Sequence, residues 1–170
     1  MGLPSSSSSL PIKLAQIIPD YDGYDDRTLR KHSDQKIRLC MIGKIENILR
    51  HLSGLPAAPH EEDKRRLSDL SQSTHRKLIT ISESLRDPTY AGNPFFALDR
   101  IPEKRLENIY NHEASMLAGL GGIEEEIAAM MQQNMEKVLF EDHFLHITDF
   151  IDNFNQALFE RESLILGDAF

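Results

Sequence analysis

The chain has 170 residues, 40% hydrophobic and 27% charged, the composition of one folded domain of ordinary size rather than of a disordered polypeptide. Its 19 Lys and Arg stand against 27 Asp and Glu for a formal net charge of -8, a balance that argues against nucleic acid as a partner, because phosphate binding relies on a basic surface. A single cysteine, Cys40, set between Leu39 and Met41, has no internal partner and reads as a small buried hydrophobe in a reducing compartment. With no apolar run near the ~20 residues of a membrane span, and no basic leader with an apolar core behind it, the expectation is a cytoplasmic protein that does not engage a membrane.

Residues 1–23 read as an extended N-terminal arm, distinct from a single helical domain over 24–170. Ser5 to Ser9 form a serine tract, and Pro4, Pro11 and Pro19 are spaced to oppose a helix. Within the arm Leu10, Ile12, Leu14, Ile17 and Ile18 supply apolar side chains that would lie against this domain or be exchanged with a second subunit.

A first helix is expected from about Asp25 or Asp26, with Ser33 as a good capping residue and Ile37, Met41, Ile45, Ile48 and Leu52 on one face. Gly54 ends it, and Leu55 to Pro59 make a stiff turn. A second helix spans His60 to Arg86, acidic at its start where the helix dipole favours negative charge, with Leu67, Leu70, Thr74, Leu78, Ile81 and Leu85 as its stripe. The segment Thr89 to Ile101 is an apolar loop whose Phe95, Phe96 and Leu98 should plug one end of the core. Pro102 opens a third helix with Leu106, Ile109, Tyr110 and Leu117 inward, and Gly121-Gly122 are expected to close it.

From Ile123 to Leu166 neither Gly nor Pro occurs, so the segment reads as long helix. Its first half aligns Ile123, Ile127, Met131, Met135 and Val138, and its second aligns Phe140, Phe144, Ile147, Ile151, Phe154 and Leu158 in heptad spacing. Between Val138 and Phe140 the stripe turns by ~200°. A kink near residues 139–143, with Asp142 capping the second half, or burial of opposite faces by two partners would accommodate the switch. The fold class is therefore an all-α antiparallel bundle of four or five helices with a long C-terminal helix. Its seam residues Phe144, Ile147, Ile151, Phe154 and Leu158 are the candidate interface of a homo-oligomer or with another protein partner.

Candidate chemistry is sparse. Glu141, Asp142, His143 and His146 form the densest set of metal-capable groups, since an i,i+3 histidine pair shares a helix face. The Glu-x-x-His pairs of di-iron bundles are missing. His112-Glu113, in Asn-His-Glu-Ala-Ser-Met-Leu, resembles over about ten residues the phosphoacceptor helix of histidine phosphotransfer bundles. That resemblance implies an exposed His112 imidazole oriented by the Glu113 carboxylate. The match ends at Gly121-Gly122, and no ATP-binding region follows. Asn93-Pro94-Phe95 matches a tripeptide bound by endocytic EF-hand-like modules and Pro56 to Pro59 is a minimal PxxP, but turn and core-plugging roles account for both. Glu124-Glu125-Glu126 read as acidic residues at a helix start. No nucleotide loop, Cys-x-x-Cys pair or nucleophile elbow is present, so no cofactor and no catalysis is expected. The sequence thus favours a non-catalytic interaction or scaffold protein, with a phosphotransfer or sensory bundle second and a metal-binding bundle third.

Overall fold

The computed structural model describes residues 9–55, 61–132 and 137–167. Among these residues there are five α-helices and no strands: α1 (Ser9–Ile17), α2 (Arg30–Ser53), α3 (Glu61–Arg86), α4 (Glu103–Gln132) and α5 (Lys137–Leu166). The all-α bundle is thereby shown.

Side-chain pairs fix how the helices run. Arg38, near the start of α2, reaches the Leu85 carbonyl at the end of α3, and α3 begins only eight positions after α2 ends, so α2 and α3 are antiparallel. Arg105 bonds Leu164 O, His112 meets Ala157 O and Glu126 meets His143, so α4 and α5 are antiparallel as well. Lys44 on Glu124, with Gly54 against Met131, makes α2 and α4 parallel. Arg66 on Glu141 and Lys77 on Asp152 make α3 and α5 parallel. The four long helices therefore stand in a square, in the order α2, α3, α5, α4, and residues 87–102 cross the diagonal from α3 to α4. That crossing closes one end of the bundle. Phe95 and Phe96 are buried there, edge to face at 5.2 Å, as the apolar loop predicts, while Leu98 is left exposed. Asn93 turns the loop by accepting the Phe95 amide on its side chain at 2.8 Å.

Four sequence expectations need correction. Residues 9–17 of the expected extended arm are helical, because Pro11 falls in the first turn, where its missing N–H costs nothing, and Pro19 comes after the helix has ended. Leu14 and Ile18 are buried, and α1 packs on α4. Ser33 does not cap α2: Leu29 holds that place, and Ser33 lies inside the first turn, buried with its hydroxyl unpartnered among the described residues. Gly121-Gly122 do not stop α4, which continues to Gln132. Each interior glycine costs roughly 0.5–1 kcal/mol, but the stripe Leu117, Leu120, Ile123, Ile127 is buried straight across them and outweighs that cost.

The fourth correction concerns the long segment. No interruption falls at 139–143 and Asp142 caps no second segment, since α5 is helical throughout Lys137–Leu166. The change of stripe is met instead by division of the segment between α4 and α5, which turn their own faces to one core. Phe144, Ile147, Ile151 and Phe154 are buried within the single chain, and Leu158 packs half-buried against them, so the seam expected to face another subunit is covered already. Met131 is exposed while its neighbour Met130 is buried. The Pro56 to Pro59 motif, Met135, and the side chains of Val138 and Phe140 lie outside the described residues.

Candidate functional site

The polar centre of the molecule lies at the closed end, beneath the diagonal loop. Arg161 of α5 is 1% exposed and divides its guanidinium among four groups. Nε donates to Glu113 Oε1 at 2.9 Å, Nη2 to Asp34 Oδ1 at 2.7 Å and to the Tyr24 hydroxyl at 3.2 Å, and Nη1 to the Tyr90 hydroxyl. Tyr24 in turn donates to Glu113 at 2.6 Å and Tyr90 to Asp34 at 3.0 Å. Arg38, one turn beyond Asp34, donates to its other oxygen at 2.9 Å. Two arginines against two carboxylates leave the cluster electrically neutral. This closes the charge balance in a low-dielectric interior, where any one of these groups alone would cost several kcal/mol.

The titration shifts stem from that arrangement. Burial pushes the Glu113 carboxyl above the usual carboxylate range even though Arg161 and Tyr24 favour its charged form. Burial works on Asp34 in the same sense, but Arg161 and Arg38 together overcome it and hold that carboxyl below the usual range. Tyr90 is pushed up to about 12, chiefly by burial, and Tyr24 is raised further still, so both phenols stay protonated as donors.

A third arginine locks the shell around this centre. Arg30, at the start of α2, donates to the carbonyls of Tyr24, Asp25, Phe95 and Leu98 and lies 5.9 Å from the centre of the Phe95 ring. Tyr110 stacks on Tyr24 and accepts its backbone N–H at 2.7 Å. Gly23, at φ +80°, makes that approach possible: a Cβ there would stand 2.9 Å from the Tyr110 hydroxyl.

The residues singled out from sequence fall differently. Glu113 is fully buried and belongs to the Arg161 cluster rather than orienting His112. His112 is half-buried, and its Nε2 lies 2.7 Å from the Ala157 carbonyl; a carbonyl only accepts, so this nitrogen carries the proton. Glu141 turns to Arg66 of α3 at 2.6 Å, Asp142 is exposed, and His143 and His146 donate to the two oxygens of Glu126 at 2.6 and 2.8 Å. The quartet Glu141, Asp142, His143 and His146 therefore does not converge. Among the described residues, no three His, Cys, Asp or Glu side chains are placed to hold a metal ion. Glu124 and Glu126 lie in the C-terminal third of α4 and cross-link it, Glu124 to Lys44 and Asn47 and Glu126 to the two histidines, so the dipole of a helix start is not what places them.

Arg161, Asp34 and Tyr90 do not stand out as site residues in the sequence, although a signal for the two charges is there. Arg161 continues the run Phe154, Leu158 by a step of three, Asp34 precedes Ile37 by three, and Glu113 stands four from both Ile109 and Leu117. Each is a charge placed within an apolar stripe, and such a placement calls for a buried counter-charge.

Two recesses open between the parallel helices α3 and α5. One of about 320 Å³ is lined by Ser73, Arg76, Thr80 and Ile151 and bordered by the Lys77–Asp152 pair. The other, about 210 Å³, reaches down to Arg38, Tyr90 and Arg161 at the edge of the buried cluster. No helix of the described residues is long and apolar enough to cross a membrane. The chain matches no protein family, no curated protein and no solved structure.

Proposed function

We propose that this is a non-catalytic, cytoplasmic scaffold protein that associates with copies of itself through α1. The observation that carries the reading is the two-sided character of that helix. Leu14 is buried against the bundle, whereas Ile12 and Ile17 stand 60% and 57% exposed. A nine-residue helix is too short to persist alone, so it is held by what it packs on, and large aliphatic side chains left outward favour a second contact. The buried cluster supports the non-catalytic part of the reading: Arg161, Asp34 and Glu113 are neutralised by one another and by Arg38, and they hold helices together.

Light scattering at ~100 μM, far above the ~1 μM affinity of a modest interface, tests this. A dimer or larger assembly is expected, and the Ile12→Ser, Ile17→Ser double variant should be monomeric at the same concentration. A monomeric wild-type protein would overturn self-association, and an assembly unchanged in the double variant would remove α1 from the interface.

A further inference from the structure

The recess over Arg38 has the chemistry of a binding site. Its walls are Leu85, Pro88, Leu158 and Phe159, and the Phe159 ring is 64% exposed, the most open of the large apolar side chains among the described residues. Arg38 lies at its base with a side chain 13% exposed. Two of that guanidinium's nitrogens are committed, Nε to Asp34 and Nη1 to the Leu85 carbonyl, while Nη2 has no partner among the described residues. Glu162 also borders the recess; one of its oxygens accepts the Thr89 hydroxyl, and the other has no partner among the described residues. The Asn155 side-chain amide is likewise without one, and it lines both recesses.

A recess with one open cationic donor, one open carboxylate oxygen and an apolar wall suits a ligand with the opposite pattern. A dianion such as phosphate would meet Glu162, and a purely apolar molecule would strand Nη2 beneath it. We infer that the recess between α3 and α5 binds a small zwitterion, an α-amino acid with an apolar side chain. Its carboxylate is received by Arg38 Nη2, its ammonium by Glu162 and Asn155, and its side chain packs on Phe159 and Leu158. The volume of about 210 Å³ accommodates a ligand of that size. Arg38 is the link to the rest of the molecule, because the same guanidinium holds Asp34; a bound carboxylate on Nη2 would add a partner to the edge of the Arg161 cluster. The inference does not depend on self-association through α1, which lies elsewhere on the fold.

Isothermal titration of the full chain with L-phenylalanine, L-leucine, phenethylamine and 3-phenylpropionate tests it. Saturable binding of the two amino acids is expected below ~1 mM. Phenethylamine, lacking the carboxylate, and 3-phenylpropionate, lacking the ammonium, should each bind at least about tenfold more weakly. Because Arg38 also serves the buried cluster, the variants chosen are Asn155→Trp, which fills the recess from an exposed position, and Glu162→Gln on its rim. The first should abolish binding and the second should weaken L-phenylalanine while leaving 3-phenylpropionate unchanged. No saturable heat from either amino acid up to 10-fold above that ~1 mM limit would overturn the proposal. So would equal affinity for L-phenylalanine and either truncated probe, or undiminished binding in Asn155→Trp.

Discussion

The two ends of the bundle are built on opposite electrostatic terms. Where the diagonal loop closes it, Arg161, Asp34 and Glu113 are sealed from water and every charge is met by another within 3 Å. Towards the opposite end, Glu126 with His143 and His146, and Arg66 with Glu141, lie at the edges of helix pairs, with the histidines and Arg66 substantially exposed. Geometry alone does not separate them, since the distances are alike. Burial does: the exposed pairs exchange water for protein at little net gain, whereas removing one partner from the sealed cluster strands a charge that nothing else solvates.

The widest expected contrast is between Arg161→Met and Lys77→Met. Arg161→Met leaves Asp34 and Glu113 to repel one another in the interior and should lower stability by ~3–5 kcal/mol in urea unfolding. Lys77→Met removes an exposed pair with Asp152 and should cost under ~1 kcal/mol. Comparable losses would show that the two kinds of pair are not distinguished by burial.

Midway along the bundle, packing rather than charge sets the tolerance. At Gly119 an added Cβ would stand 2.7 Å from the Phe150 ring, so that ring packs directly on the glycine and must move to admit a methyl group. Gly119→Ala should cost about 1–3 kcal/mol despite the better helix propensity of alanine, and Gly122→Ala, with open space at its Cβ, should be neutral or stabilising. Thermal unfolding of the two variants side by side measures the difference.

The two carboxylates of the sealed end should give opposite pH signatures. Asp34, held below the usual carboxylate range, contributes stability that is present above that range and is lost as pH falls through its depressed native value. Glu113, raised by burial, acts the other way: as pH climbs from the usual carboxylate range through its elevated native value, the unfolded chain gives up its proton first and stability falls. Urea unfolding across pH 3 to 8, with ~4 as the ordinary carboxylate reference, should show Asp34→Asn flattening the acid limb. Glu113→Gln should lose less relative to wild type as pH rises. The same slopes in both variants would mean that the carboxylates are not differently held.

The smallest effect is one of sign. The Ser33 hydroxyl is buried without a partner among the described residues, so Ser33→Ala should raise the unfolding midpoint, by up to ~1 kcal/mol of stability. Had Ser33 capped α2, the same change would lower it by about 1 kcal/mol.

Much of the fold is legible in the sequence because periodicity reports burial. The stripes Ile37, Met41, Ile45, Ile48 and Leu78, Ile81, Leu85 face the core as their spacing demands, and Gly54 terminates α2. What fails are rules about single residues whose outcome depends on tertiary neighbours. Pro11 argues against a helix that it in fact begins, and Gly121-Gly122 signal the end of a helix that the Leu120 and Ile123 contacts carry through. The seam from Phe144 to Leu158 has the spacing of an interchain contact, but α4 folds back to cover it, and heptad spacing is the same whether the covering helix comes from this chain or another. The polar centre is hidden for a related reason. Its members are scattered from Tyr24 to Arg161, and only the diagonal crossing brings Tyr90 beneath the loop to join them.

The central claim, that the sealed cluster acts as a mutually neutralised unit, is tested most directly by a double-mutant cycle in urea unfolding at neutral pH. Arg161→Met is set against Glu113→Gln, and both are compared with the two changes together, so that Asp34 keeps Arg38 as its partner throughout. The combined variant should be more stable than Arg161→Met alone by at least ~1–2 kcal/mol, because the Arg38–Asp34 pair that remains is balanced and no uncompensated carboxylate is left inside it. Losses that simply add, leaving the combined variant the least stable of all, would contradict the account.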